Sequence, residues 1–468
     1  MRQDIKDFFA LADTKQFFRI LAIAIVIIAI FSLAAINFLD ADKVLLIDLA
    51  IVVLLFFVEF PFVGFCVMIL FYPFVNWQFV LGPVNVPYVD LLATILLFAV
   101  LLKAFLDWQL GLKKGRVSVW QIFPGIIFAG CFLAASALSI LNNEFLLAAV
   151  KYLLRPLLFF YLMFVVLPYN LINQKRLLKI ALRAMLIVGL AVALLGAFSI
   201  FSSPGQWGVH RAVPFSFGEF NPLGGNQNAV AEVLIVIIPI TFILFLLSEK
   251  IKRRGWYVLA IMLMSAVLIL TFSRSGWLAL LTELLILFFL KYRHKVNKYT
   301  VMAIILLLLI VPSLLYFSVW SKLDWIERSN ANRLLLSGIA FNSFLEHPFI
   351  GNGLNTFQQI VGRTFVYRVE FGDPLESHGF LQKVLTESGL LGIISFGALL
   401  GYFFYRYIKA YLAAKFFSAK MIIACFIMML AGITVFELFS TSYYLASAWL
   451  PIGIGLAGVR LYGGEDGD

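Results

Sequence analysis

The 468-residue chain is 63% hydrophobic and 13% charged, where ordinary soluble domains carry roughly 25% charged residues. That balance excludes a water-soluble enzyme, a nucleic-acid binder and a disordered regulator, and it reads as a polytopic membrane protein. The net charge of +11 is an effect of topology rather than the mark of a nucleic-acid partner, because most of the excess lies in short loops between apolar tracts.

Apolar tracts predict membrane helices near 17–39, 44–58, 60–80, 88–106, 121–141, 151–169, 180–201, 226–248, 256–272, 276–290, 299–319, 379–405, 420–440 and 443–460. The two short hairpins 44–80 and 256–290 set the range of the count, so the expectation is an all-α transmembrane protein of about 12–14 spans. Residues 1–19 mix charges and no small-residue cleavage site follows the first tract, which is therefore expected as a retained helix. Cys66, Cys131 and Cys425 all fall within apolar tracts, with neither metal-ligand spacing nor a disulfide framework. With a cytoplasmic N-terminus, 25 of the 36 Lys and Arg residues fall in inner loops and 11 outside, as the positive-inside rule requires. Every inner loop is short, so no catalytic domain hangs on that side. The chain divides into helices at 1–319, one large extracytoplasmic segment at 320–378, and helices at 379–468.

The outer segment has its own order. Residues 320–328 alternate aromatic and charged side chains, as an interfacial stretch does. A helix is expected over 332–346, with Leu335, Ile339, Asn342 and Leu345 near one face, stopped by His347-Pro348. Gly351-Asn352-Gly353 then forces a turn.

Polar residues at the outer ends of spans carry the chemistry. Thr271-Phe272-Ser273-Arg274-Ser275-Gly276 joins two tracts with almost no loop. An arginine there is a functional candidate by default. The following helix start adds free N–H groups and partial positive charge, which together suit a phosphate or pyrophosphate. The plain alternative is an arginine snorkelling to outer headgroups. A second cluster holds His210 and Arg211, then Asn226 and Asn228 at the start of the next span. Those amides either bond sugar hydroxyls or cap the helix. A third is Glu376-Ser377-His378-Gly379-Phe380-Leu381-Gln382, where His378 and Gln382 share a helical face and Lys383 pairs with Glu387 on another. An imidazole there can take a proton from a hydroxyl. Arg333 opens the outer helix, either as a solvated charge or as part of a basic site. His294 and His347 fit a basic loop and a helix stop.

Asn332-Arg333, the run Phe344-Leu345-Glu346-His347-Pro348-Phe349-Ile350-Gly351-Asn352-Gly353 with Phe357, and Ser377-His378-Gly379-Phe380-Leu381-Gln382 followed by Glu387-Ser388-Gly389-Leu390-Leu391-Gly392 resemble the signature of the O-antigen ligase and polymerase superfamily. Glycine stands at 379 where that family often has asparagine. The Ser273-Arg274-Ser275-Gly276 hairpin resembles the family's upstream basic hairpin. The resemblance covers about 270–395. It implies a GT-C-type membrane glycosyltransferase of the bacterial cytoplasmic membrane, with its site facing the periplasm. Such an enzyme moves a glycan from undecaprenyl pyrophosphate to an acceptor hydroxyl on a glycan, glycolipid or protein, as in lipopolysaccharide biosynthesis.

The residues agree with that chemistry on their own terms. Arg274 and Arg333, assisted by Arg211, would hold the pyrophosphate as negative charge builds on it. His378 would receive the acceptor proton. Attack opposite the leaving phosphate inverts the anomeric centre, and neither metal nor cofactor is required. His210, Asn226, Asn228, Ser273, Ser275 and Gln382 are the expected substrate-binding residues. Three other readings stand beside this ligase: a polymerase of the same superfamily, a metal-dependent enzyme using Asp40 and Asp42, and a transporter of lipid-linked glycans for which Glu232 and Glu283 lie within spans.

Overall fold

The computed structural model describes residues 41–81, 84–109, 123–202, 210–216, 218, 220–292 and 324–463, with scattered positions between 22 and 32. The expected spans 17–39 and 299–319, residues 320–323 and the side chains of Asp40 and Asp42 lie outside the described residues.

Apart from one β-hairpin, the described regular structure is helical, in keeping with an all-α membrane protein. The helices α1 (Ala41–Glu59) and α2 (Pro61–Phe71) turn at Phe60, with proline at the first helical position of α2. The expected span 60–80 is corrected here: α2 stops before Pro73 and gives way to strands β1 (Gln78–Leu81) and β2 (Val84–Pro87), paired antiparallel. Then follow α3 (Tyr88–Gln109), α4 (Ile126–Ser139), α5 (Leu146–Leu171), α6 (Lys175–Ser202), α7 (Gln227–Leu246), α8 (Ile251–Leu270) and α9 (Arg274–Tyr292). Within α5 the turns widen around Pro156, which has no N–H to give and pushes back the carbonyl of the preceding turn. The outer segment forms α10 (Asp324–Glu346), α11 (Phe357–Arg363) and α12 (Phe365–Phe371). The chain closes with α13 (Phe380–Ala413), α14 (Phe417–Glu437) and α15 (Ala446–Gly463).

Seven of these, α3, α5, α6, α7, α8, α13 and α14, are long and apolar enough to cross a bilayer. α7 and α14 are apolar on all sides and sit at the centre, as such helices must. α9 lies along α14, with the Glu283 carboxylate against Gly432, where any side chain on the facing helix would collide with it. α13 packs on α4. The links α6–α7, α8–α9 and α14–α15 gather at one end of the bundle, as Asn76 N–H donating to the Pro222 carbonyl (3.1 Å) and Ala212 N–H to that of Leu270 (2.8 Å) illustrate. The Lys and Arg residues of 175–183, 250–254 and 406–420 lie at the other end.

The outer segment is joined to α13 first of all through its backbone. α13 breaks at Gly389 (φ 60, ψ −156), and the peptides of 348–353 fill the break. Asn352 and Gly353 N–H groups donate to the Thr386 and Glu387 carbonyls (2.9 and 3.1 Å). Leu390 and Leu391 N–H groups donate to those of Pro348 and Phe349 (2.9 and 3.1 Å). The two halves of the signature read from the sequence are thus one interlocked joint. Lys383, fully buried, bonds Glu376 at 2.8 Å as well as the expected Glu387 at 3.1 Å. Glu387 in turn accepts the Phe357 N–H at 3.2 Å, tying α11 to the same joint.

This docking also sets the face of α10. Leu336, Ile339, Ala340 and Ser343 point inward, with Phe357, Val361 and Tyr367 completing a small outer core. The expected face is corrected: Asn342 and Leu345 are exposed. A stripe of apolar residues at helical spacing does not say which side meets α13. The backbone joint turned toward it Ala340, whose carbonyl accepts from Thr386, and Ser343, whose carbonyl accepts from Asn352.

Candidate functional site

The α8–α9 turn is built from its own hydroxyls. Thr271 Oγ1 donates to the Leu268 carbonyl (2.6 Å) and accepts the Ser273 N–H (3.2 Å). Phe272 takes a left-handed conformation (φ 54) that costs a non-glycine residue free energy. Ser273 caps α9 by accepting the Gly276 N–H at 3.2 Å, and it donates to Asn228 Oδ1 at 2.8 Å. Ser275 lies 3.1 Å from Ser273 Oγ, and both serines are buried. Their hydroxyls are used in holding the turn. Asn226 caps α7, accepting the Asn228 N–H at 3.0 Å. The helices α7, α9 and α13 all begin at this end, so their free N–H groups and partial positive charges collect there.

Arg274 opens α9 and donates to Asn330 Oδ1 at 2.8 Å. Asn330 and Arg333 are three apart on α10, hence neighbours on its surface. The bond therefore brings Arg333 up to Arg274. Burial, and then the charge of Arg274, lower the pKa of Arg333. Its Nε is buried without a hydrogen-bond partner. Two guanidiniums side by side, one of them with an unpartnered buried Nε, form a site suited to an anion.

His378 lies just before α13. Gln382 Oε1 accepts the His378 backbone N–H (3.1 Å), Gln382 Nε2 donates to Ser337 Oγ (2.7 Å), and Ser337 donates to the Arg333 carbonyl (2.8 Å). This relay fixes the histidine segment against the helix that carries Arg333. Ser377 and Thr441 bond each other across to the α14–α15 link. A side chain at 379 would meet the Leu438 carbonyl oxygen at 2.4 Å, which is why glycine stands there. Burial, and then the charge of Arg333, push the imidazole down to about 4. It is therefore neutral, and able to accept a proton, well below the usual histidine value of about 6.5. The unfolded chain would take up that proton first. Stability is thus expected to fall as pH drops through 6.5 and to level off below about 4, which denaturation at a series of pH values would read.

A cavity of about 390 Å³ opens beside His378, lined by Asn226 and Asn228 from α7, Glu376 and Ser377 before α13, and Ser440 to Ser442 from the α14–α15 link. Glu232, one turn inside α7, faces it and accepts from Ser442 Oγ at 2.8 Å, while Ser442 N–H donates to Glu437 at 2.8 Å. The cavity thus has the His378 imidazole on its wall and the Glu232 carboxyl facing it.

Of the residues singled out in the sequence, Arg274, Arg333, His378 and Gln382 come together, with Asn226, Asn228, Ser273 and Ser275 adjoining them. His210 is exposed and its Nδ1 lies 3.1 Å from the Ile200 carbonyl, away from the cavity lining. Arg211 precedes Ala212, whose N–H meets Leu270, so its backbone runs beside the α8–α9 turn. Sequence reasoning missed Asn330, Ser337, Glu437 and the Ser440-Thr441-Ser442 run. The last was visible as three hydroxyls between two apolar tracts, and Asn330 as an amide one turn before Arg333.

Residues 259–397 match the family model described as O-Antigen ligase. The matched stretch, under a third of the chain, runs from α8 into α13 and contains Arg274, Arg333 and His378. No curated protein matches the chain. The resemblance to the O-antigen ligase and polymerase superfamily holds over that stretch and supports an O-antigen ligase- or polymerase-type function, in keeping with a multi-pass membrane protein.

Proposed function

We propose that this end of the bundle is the active site of an O-antigen ligase-type glycosyltransferase, which takes a glycan from undecaprenyl pyrophosphate and joins it to an acceptor hydroxyl. The observation that carries the reading is the meeting of two guanidiniums from separate helices beside a half-buried, neutral imidazole. The diphosphate would seat against Arg274 and Arg333 and give the unpartnered Arg333 Nε an acceptor, with Arg211 beside the turn adding positive potential. His378 takes the proton as the acceptor oxygen attacks the anomeric carbon, the bond to the phosphate oxygen breaks, and Arg274 and Arg333 stabilise the charge left there. Attack from the face opposite the phosphate inverts the anomeric centre. The acceptor, a lipid A-core oligosaccharide or a similar glycan, would approach through the cavity beside His378, whose amides and hydroxyls suit sugar hydroxyls. The basic end of the bundle would face the cytoplasm, which puts the site on the periplasmic face of the inner membrane.

Purified protein in lipid nanodiscs, given undecaprenyl-pyrophosphate glycan and the host's core glycolipid, is expected to form the new glycosidic bond and to do so in EDTA. A protein that moved the donor across the bilayer without forming that bond would be a transporter instead. The pH profile is a second test. The acid limb of kcat/KM, which reports the free enzyme, is expected near 4 rather than 6.5. In kcat the limb should lie higher, because bound diphosphate favours the imidazolium.

Gln382→Leu removes the bridge between His378 and Ser337 and is expected to lower kcat about tenfold with little change in donor KM. Its role is to hold the histidine segment, not to touch the phosphates.

A further inference from the structure

A second cavity of about 390 Å³ lies in the outer segment, between the end of α10, α11 and the α4–α5 link, and it shares no lining residue with the cavity beside His378. Ser343 stands in its wall only 5% exposed, and its Oγ has no hydrogen-bond partner. A hydroxyl so buried calls for a partner that the protein does not provide. Asn142 and Asn352, also on the wall, are held rigid by their amide nitrogens, which donate to the Gly351 and Ser343 carbonyls (both 2.8 Å). Their amide oxygens make no hydrogen bond with described residues. Gln359 and the Glu346 carboxylate add further polar groups, and Phe145, 46% exposed, offers a ring at the edge.

We propose that this cavity binds a neutral saccharide, the distal rings of a glycan whose reacting end lies at His378. Sugar hydroxyls both donate and accept, and fixed amides, a carboxylate and a hydroxyl answer both needs. The apolar C–H face of a pyranose ring packs against an aromatic side chain. The chemistry argues against a phosphate: Arg363, the cation on the wall, is already paired with Glu144, and Glu346 leaves the lining without cationic excess. The ten helical steps of α10 from Arg333 to Ser343 span about 15 Å, room for a few linked sugars between the two sites. The identification of the ligand as part of a transferred glycan rests on the proposed function, whereas binding of saccharide in the cavity can be tested apart from it.

The test is saturation-transfer NMR and calorimetry on the full-length protein in nanodiscs. The probes are two soluble oligosaccharides, one released by mild acid from the host's surface polysaccharide and one from its core glycolipid. Gln359→Trp, which fills the cavity, and Phe145→Ala, which removes the ring, both alter partly exposed positions and should fold. Each is expected to weaken binding of at least one probe tenfold or more, while Gly401→Ala, at a position that lines neither cavity, leaves it unchanged. The probe affected identifies whether the donor or the acceptor glycan occupies the cavity. If neither probe binds wild-type protein, or if both cavity variants bind as wild type does, the proposal is overturned. Saccharide binding that is lost in these variants, in a protein that transfers no glycan, would leave this site standing and remove the proposed activity.

Discussion

Arg333→Ala is expected to cut glycan transfer by about 10²–10³-fold, the loss typical of removing one preorganised donor to a developing oxyanion, or about 3–4 kcal/mol of transition-state stabilisation. The guanidinium sits beside Arg274, its Nε is buried without a partner, and its charge is already penalised by burial and by its neighbour. No carboxylate among the described residues pairs with it, so its removal should leave stability unchanged or slightly improved while activity collapses. That opposition separates a functional residue from a structural one. Arg333→Lys should recover little, because an ammonium cannot offer the forked pair of donors that fits a phosphate. The pH profile gives a further signature. The charge of Arg333 is the second cause of the low His378 pKa, so Arg333→Ala should move the acid limb of residual kcat/KM upward from about 4. His378→Ala should lose about 10²–10⁴-fold and abolish that limb altogether. Steady-state kinetics with melting curves for each variant would check all of this, and a stable Arg333→Ala protein with wild-type turnover would remove the residue from the mechanism.

How far the sequence alone reaches depends on which force sets each feature. Helices such as α6, α7 and α14 are legible because lipid demands a long unbroken apolar run, and composition records that directly. Arg274 and His378 are legible for the complementary reason that a polar group at the end of such a run needs an explanation. The shortening of α2 was harder, since Tyr72-Pro73 lies within a tract that is apolar on both sides. The face of α10 was only half legible: Ile339 is buried and Leu335 packs beside it as expected, but apolar residues occur around much of the helix, and Leu334, Phe341 and Leu345 are exposed while Leu336 and Ala340 are buried. Asn226 and Asn228 read equally as ligands and as a cap, and Ser273 and Ser275 as ligands; only the hydrogen bonds show Asn226 and Ser273 capping their helices. The floor of the cavity, where Glu232 meets Ser442, joins residues 210 positions apart, and no local pattern encodes that.

Gly389→Ala and Gly351→Ala are each expected to destabilise the protein more than any change at the site. At Gly389 the backbone adopts φ 60 and ψ −156, a region that costs other residues roughly 1–3 kcal/mol before any contact is counted. An added Cβ would then lie 2.6 Å from the Phe349 carbonyl oxygen and 2.7 Å from the Gly351 nitrogen. At Gly351, φ is 72 and the Cβ would lie 2.4 Å from the Glu387 carbonyl. These are backbone atoms, which cannot swing aside, and moving them breaks the four hydrogen bonds that seat 348–353 in α13. Because that joint also orients α10, which bears Arg333, the loss should reach activity even in chains that fold. The same helix supplies the control. Gly397 and Gly401 also lie in α13, but a Cβ at either would meet nothing within 4 Å, and alanine there should be neutral or stabilising by up to about 1 kcal/mol through its helix propensity. Melting temperatures of the four alanine variants in detergent should therefore split into two well-separated pairs. If Gly389→Ala melted with Gly397→Ala, the outer segment would be held to the membrane helices by something other than this interlocked backbone.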